Sequence, residues 1–174
     1  CSSDLNLPAS LTESLSVTIF PVNDAPTAAD NTIAMLEDSR HVFTTADFGF
    51  TDAVDSPPNA FSAVIITTLP TAGKLTLDGS PVKADQSIAV ADLGKLVFTP
   101  DANANGNSYA TIGFKVQDDG GTANGGVDTS LTANTLTFNV NASPALSSTS
   151  TAPVAYVENA APLAINKDRK STRL

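Results

Sequence analysis

Tryptophan is absent from this 174-residue chain, and tyrosine occurs only twice. The platform of exposed aromatic rings that usually grips a sugar is therefore not in evidence. A single cysteine, Cys1, excludes an internal disulfide. Nine Lys and Arg stand against eighteen Asp and Glu, a net charge of −9. That balance excludes a nucleic-acid partner, because phosphates would be repelled, and it disfavours an anionic membrane surface. No apolar run approaches the roughly 20 residues a membrane helix needs, so no membrane insertion is expected. The only histidine, His41, falls inside an alternating segment and reads as a strand residue. There is no His-Glu-x-x-His, no Gly-x-Ser-x-Gly and no phosphate-cradling glycine loop. Asp118 and Asp119 are adjacent, too close together to straddle a glycosidic bond. The chain is not expected to be an enzyme.

What is present is apolar content of 41% together with many Thr, Asn, Asp, Ala and Gly residues, the composition of a turn-rich β protein. Apolar residues alternate with a period of two, and no amphipathic helix of ten residues stands out. Seven strands are expected. The first two are about Thr32 to Leu36 and His41 to Thr45. The third is "FSAVIITTLP", Phe61 to Pro70, with Val64 and Ile66 inward and Leu69 a further inward candidate. The fourth, Lys74 to Leu77, ends on the tight-turn signal Asp78-Gly79. A helical turn near Val90 to Leu93 precedes the fifth, Lys95 to Pro100. "YATIGFKVQ" and "NTLTFNV" supply the last two. Short, evenly spaced strands between turn signals predict an all-β, seven-stranded Greek-key β-sandwich. Its expected core is Phe43, Val64, Ile66, Leu75, Leu96, Phe98, Phe114, Val116, Leu136 and Phe138.

Two copies of one signature border this unit. "VNDAP" at Val22–Pro26 follows "LSVTIF", and "VNASP" at Val140–Pro144 follows "NTLTFN", 118 residues later. One complete repeat is expected over 23–142. Residues 1–22 read as the last strand of a preceding repeat. Residues 143–167 read as a Ser/Thr/Pro linker and the first strand of a following one. The opening Cys1-Ser-Ser-Asp has the form of a lipoprotein terminus, but the absence of Met and the start in mid-pattern favour a fragment. "DRKSTRL", residues 168–174, breaks the acidic, aliphatic character and matches a translated sequencing-library adapter, GATCGGAAGAGCACACGTCTG. It is expected not to be protein sequence, and a natural coding continuation past Lys167 would refute that.

If successive strands alternate in direction, eleven carboxylates gather at the pole where the chain enters, here the upper pole. They are Asp24, Asp30, Asp47, Asp52, Asp55, Asp78, Asp85, Asp92, Asp118, Asp119 and Asp128. Glu37, Asp38 and Asp101 fall at the lower pole. Such crowding is tolerable in water and becomes favourable around Ca²⁺, which takes about 6–8 oxygens from Asp, Glu, Asn and backbone carbonyls. Turn formation and solvated surface charge are the competing account of the same residues.

The segments "VNDAPTAADNTIAMLEDSRHVFTTADFGFTD", "ITTLPTAGKLTLDG", "KLVFTPDANANGNSYATIGFKVQDDGGTANGG" and "TLTFNV" resemble the cadherin-like tandem repeats of large bacterial surface and secreted proteins. They are also similar to chondroitin-sulfate-proteoglycan type repeats. The resemblance covers about Val22 to Asn141. It implies a cadherin/immunoglobulin-like sandwich, an extracellular or cell-surface location, and Ca²⁺ at the joints between neighbouring repeats. It further implies a structural or adhesive role, with a cell-surface or matrix ligand for the whole protein. An accessory module of a secreted enzyme, binding carbohydrate, is the alternative. Residue by residue, Asn23 and Asp24 match the Asn-Asp linker, and Glu37 the acidic residue closing the first strand. Asp52 and Asp55 stand where an Asp-x-Asp pair belongs, and Asp118 or Asp119 in the acidic loop after the sixth strand. Two departures are plain: two residues separate Asp52 from Asp55, and Ala142 stands where Asp24 stood. The upper joint is expected to hold calcium and the lower to respond less.

Overall fold

Alternation leaves one face of each segment apolar, and the chain closes those faces on one another as two sheets. A computed structural model describes residues 22–144. Among the described residues nine strands are formed: β1 (Asn31–Leu36), β2 (His41–Val42), β3 (Phe61–Thr68), β4 (Lys74–Leu77), β5 (Ser80–Pro81), β6 (Gln86–Ala89), β7 (Leu96–Thr99), β8 (Gly106–Asp118) and β9 (Asn134–Asn141). One sheet has the order β1-β9-β8-β3-β6 and the other β2-β7-β4-β5. Pairing is antiparallel except between β1 and β9, which run parallel from Asn31 opposite Leu136 to Leu36 opposite Asn141. Helical structure among the described residues is limited to 3-10 turns at Thr45–Phe48, Val90–Lys95 and Ala123–Gly125. The expected readings of residues 1–21 and 145–174 lie outside the described residues.

Each of the seven expected strands is present, and the count rises to nine through β5 and β6. After the Asp78-Gly79 turn the chain folds back on β4, Thr76 opposite Pro81, in an arm of two residues. Strand β6 lies at a sheet edge beside β3 and buries one side chain, Ile88. Neither is long enough to display an alternation. Strand β2 stops at Val42 because the chain turns almost at once into the 3-10 turn, where Thr44 and Asp47 form a reciprocal cap. The turn after β6 forms as expected and runs on to Lys95.

All ten expected core residues are buried. Ile33, Phe48, Val82, Ile88, Leu93 and Ile112 join them in one continuous cluster between the sheets. Leu69 does not: it lies past the last residue of β3, beyond a register shift between Ile66 and Thr68, and is exposed. Phe48 shows what the 3-10 turn contributes, since it inserts a ring between Phe43, at 5.8 Å, and Phe114, at 5.1 Å. His41 packs edge-on against Phe43 at 5.0 Å, and its Nε2 lies 3.3 Å from Asp47 Oδ2. At the upper pole β3 begins and β8 ends, Phe61 opposite Asp118. At the lower pole β1 and β9 end together and β8 begins, Gly106 opposite Val140.

Candidate metal centre

The incoming chain is fastened to the upper pole at two points. Thr27 and Thr51 exchange backbone hydrogen bonds of 2.8 and 2.9 Å, and Val127 N–H donates to the Asn23 carbonyl at 2.9 Å. This turns the Asn23 side chain inward, among the loops that follow β2 and β8. Its Nδ2 donates toward Asp118 Oδ1 at 3.0 Å, the Gly121 carbonyl at 3.1 Å and the Val127 carbonyl at 3.0 Å. Its Oδ1 accepts from Asn59 Nδ2. Gly120 is required beside it: a Cβ there would overlap both the Asn23 and Asn59 amides.

Two carboxylates sit deep in this cluster. Asp118 is 3% exposed and Asp52 is 8% exposed. Asp118 Oδ1 accepts from Gly120 N–H at 2.9 Å as well as from Asn23. Asp52 Oδ2 accepts from Asn59 N–H at 2.6 Å. The other oxygen of each, Asp118 Oδ2 and Asp52 Oδ1, is buried with no hydrogen-bond partner among the described residues. A buried polar atom left unmade costs about 1–3 kcal/mol, more if charged. Burial pushes the Asp118 carboxyl above its ordinary value; the Gly120 and Asn23 hydrogen bonds pull it down, and the charges on Asp52 and Asp128 push it up.

The remaining expected site residues separate into two groups. Asp24, Asp55 and Asp119 lie at the same pole, but the Asp55 and Asp119 carboxylates accept from backbone N–H groups, and Asp24, which is exposed, contributes its backbone N–H rather than its carboxylate. Asp55 Oδ2 accepts from Asp24 N–H at 3.0 Å, and Asp119 Oδ1 from Ala60 N–H at 2.7 Å. Glu37 is at the lower pole, where it accepts from Asn105 Nδ2 at 3.2 Å and Ser143 N–H at 2.9 Å, and it takes no part in the upper cluster. Of the other carboxylates expected at the top, Asp128 is the one felt by Asp118. Asp47 caps its own 3-10 turn through Thr44 N–H at 2.7 Å, and Asp30 binds Thr135 N–H at 2.7 Å at the start of β9. Asp92 pairs with Lys95 at 2.8 Å, and Asp78 N–H donates to the Lys95 carbonyl. Asp85 is not at the top: its N–H donates to the Ile66 carbonyl, low on β3, because β6 must climb back up that strand. Turn formation therefore accounts for several of the eleven.

No group of three or more His, Cys, Asp or Glu side chains among the described residues is gathered closely enough to hold a metal. What converges is a mixed set: two carboxylates, the Asn23 amide and the carbonyls of Gly121 and Val127. Asn59, Gly120 and the two carbonyls were not foreseen; only Asn59 had a side-chain signal, as an oxygen-bearing residue close to Asp55. No family model, no curated protein and no solved structure matches the chain. No helix among the described residues is long and apolar enough to cross a membrane.

Proposed function

We propose that this chain carries a cadherin-like, Greek-key repeat of a larger secreted or cell-surface protein, a structural and adhesive spacer whose upper joint takes Ca²⁺. One observation carries the reading: Asn23 of the incoming segment hydrogen-bonds the buried carboxylate of Asp118, which feels the charge of a second buried carboxylate, Asp52, and each of the two has an oxygen without a donor among the described residues. A hard divalent cation supplies what those oxygens lack and cancels the repulsion between them. Oxygen donors of the right kind are within the cluster: carboxylates, an asparagine amide and backbone carbonyls. The parallel pairing of the first and last strands, on a two-sheet scaffold, supports the cadherin-like type.

The partners are neighbouring repeats of the same protein and, for the assembled protein, a cell-surface or matrix ligand. Nucleic acid is not among them, given the net charge of −9. The repeat has no catalysis of its own: His41 is held by Asp47 and two phenyl rings, a packing role. Hydrolysis of a glycan, ester or peptide panel that vanished in His41→Ala would refute this. Calorimetric titration of the full chain with CaCl₂ after chelator treatment tests the metal. Saturable binding that is lost in Asp118→Asn and Asp52→Asn is expected, and no heat up to millimolar calcium refutes the site.

A further inference from the structure

The Asn23 amide nitrogen has two hydrogens and three acceptors. Asp118 Oδ1, the Gly121 carbonyl and the Val127 carbonyl surround it at 3.0, 3.1 and 3.0 Å. Three oxygens around one donor atom is more than an NH₂ group can satisfy. In the same cluster Asp118 Oδ2 and Asp52 Oδ1 are buried without any partner among the described residues. An oxygen-lined seat thus has a weak, neutral occupant, and carboxylate oxygens remain in surplus.

We propose that the Asn23 amide is a latch that stands in for the cation. In the ion-free chain the nitrogen holds the three oxygens together; when the ion arrives the amide turns over and presents Oδ1 to it instead. This rests on the calcium reading above and adds a regulation to it. With Asn23 turned, Asn23 Oδ1 joins Asp118 Oδ1 and the two carbonyls as oxygen donors, and the unpartnered oxygens of Asp118 and Asp52 would be called on to complete the about 6–8 that Ca²⁺ takes. The linker stays attached in both states, through a hydrogen-bonded amide in one and a ligand in the other. The Asn59 amide, which donates to Asn23 Oδ1, must release it during the exchange. Gly120 leaves the amide room to turn, since a side chain at that position would occupy the same space.

The test is an NMR titration of the uniformly ¹⁵N-labelled full chain with CaCl₂, read at the Asn23 side-chain NH₂ pair, with calorimetry on the same sample. The pair should be protected from solvent exchange without calcium. It should shift and lose protection with the midpoint of the binding isotherm. If calcium binds and the pair does not move, the latch is wrong and the calcium site stands. If no calcium binds, the calcium reading fails and the latch with it. A second arm uses Asn23→Asp, which replaces the donor nitrogen by an acceptor facing Asp118. Its ion-free melting temperature should fall below wild type, and calcium should bind it at least about ten-fold tighter. An unchanged ion-free melting temperature would contradict a latch that holds the pole together.

Discussion

Phe114 is fully buried, with its ring 5.1 Å from Phe48 and edge-on to it, so its loss opens a cavity between the sheets. Phe114→Ala should cost about 3–5 kcal/mol in urea or thermal unfolding, and a loss below about 1 kcal/mol would mean the core is not built this way. Asp118 behaves in the opposite sense from a surface carboxylate. Burial, before any other cause, holds its folded-state value above the ordinary 3.8. The folded chain then keeps this proton at pH values where the unfolded chain has released it. Its stabilising contribution is complete below the unfolded value and is lost as pH rises through the raised folded value. In chelator, wild type should therefore lose stability relative to Asp118→Asn as pH climbs from about 4 toward 7. The amide variant can keep Oδ1 as acceptor for Gly120 and Asn23, so a difference that stays flat with pH would rule out Asp118 as the titrating group. On the calcium reading the comparison should reverse when the ion is added, because the ion would need the carboxylate that the variant lacks.

Glu37 directly follows the last residue of β1, Leu36, and ties down the chain where it leaves the sandwich. Glu37 N–H donates to the Asn141 carbonyl at 2.8 Å, and its carboxylate accepts from Ser143 N–H at 2.9 Å. These bonds continue the parallel β1–β9 pairing past the last strand residue. Glu37→Ala should speed hydrogen exchange at Ser143 by about five- to ten-fold, the loss of one hydrogen bond of about 1 kcal/mol, without changing calcium affinity. A fall in calcium affinity would instead tie Glu37 to the ion. Elements of this size also mark where the sequence could be read. Strands β3, β8 and β9 bury several alternating side chains each, and the alternation located them. Strand β5 buries none and β6 only Ile88, so no period exists to detect. Phe48 was missed because a 3-10 turn places one side chain inward with no repeat. At the site, the Asn-Asp linker motif and the acidic loops pointed to Asn23, Asp52 and Asp118. The Gly121 and Val127 carbonyls were illegible, because every residue has one. Asp85 was misplaced because the unseen β6 changed which way its connection ran.

The two poles of the repeat satisfy their carboxylates differently, which predicts a different response to calcium at each. At the lower pole Glu37, Asp38 and Asp101 each have donors, and Asp85 is exposed to water. Asp38 accepts from Asn103 N–H at 2.9 Å, Asp101 from Gly73 N–H at 3.2 Å and Tyr109 Oη–H at 2.9 Å, and Glu37 from Asn105 and Ser143. Nothing there requires a cation. At the upper pole Asp52 and Asp118 keep oxygens that no donor among the described residues reaches. An ion bound there, and not to the unfolded chain, adds stability by mass action, about 2.7 kcal/mol at a hundred times its dissociation constant. Because Asn23 belongs to the incoming segment, an ion bound there would also fix the direction in which the chain enters. A longer protein that includes the preceding repeat should therefore melt higher and scatter as a more extended particle in millimolar calcium than in chelator. Asp118→Asn should abolish both changes, while Asp101→Asn at the lower pole should leave both intact. A longer protein whose extension is the same in calcium and in chelator would show that the upper pole is a stability site only and does not stiffen the joint.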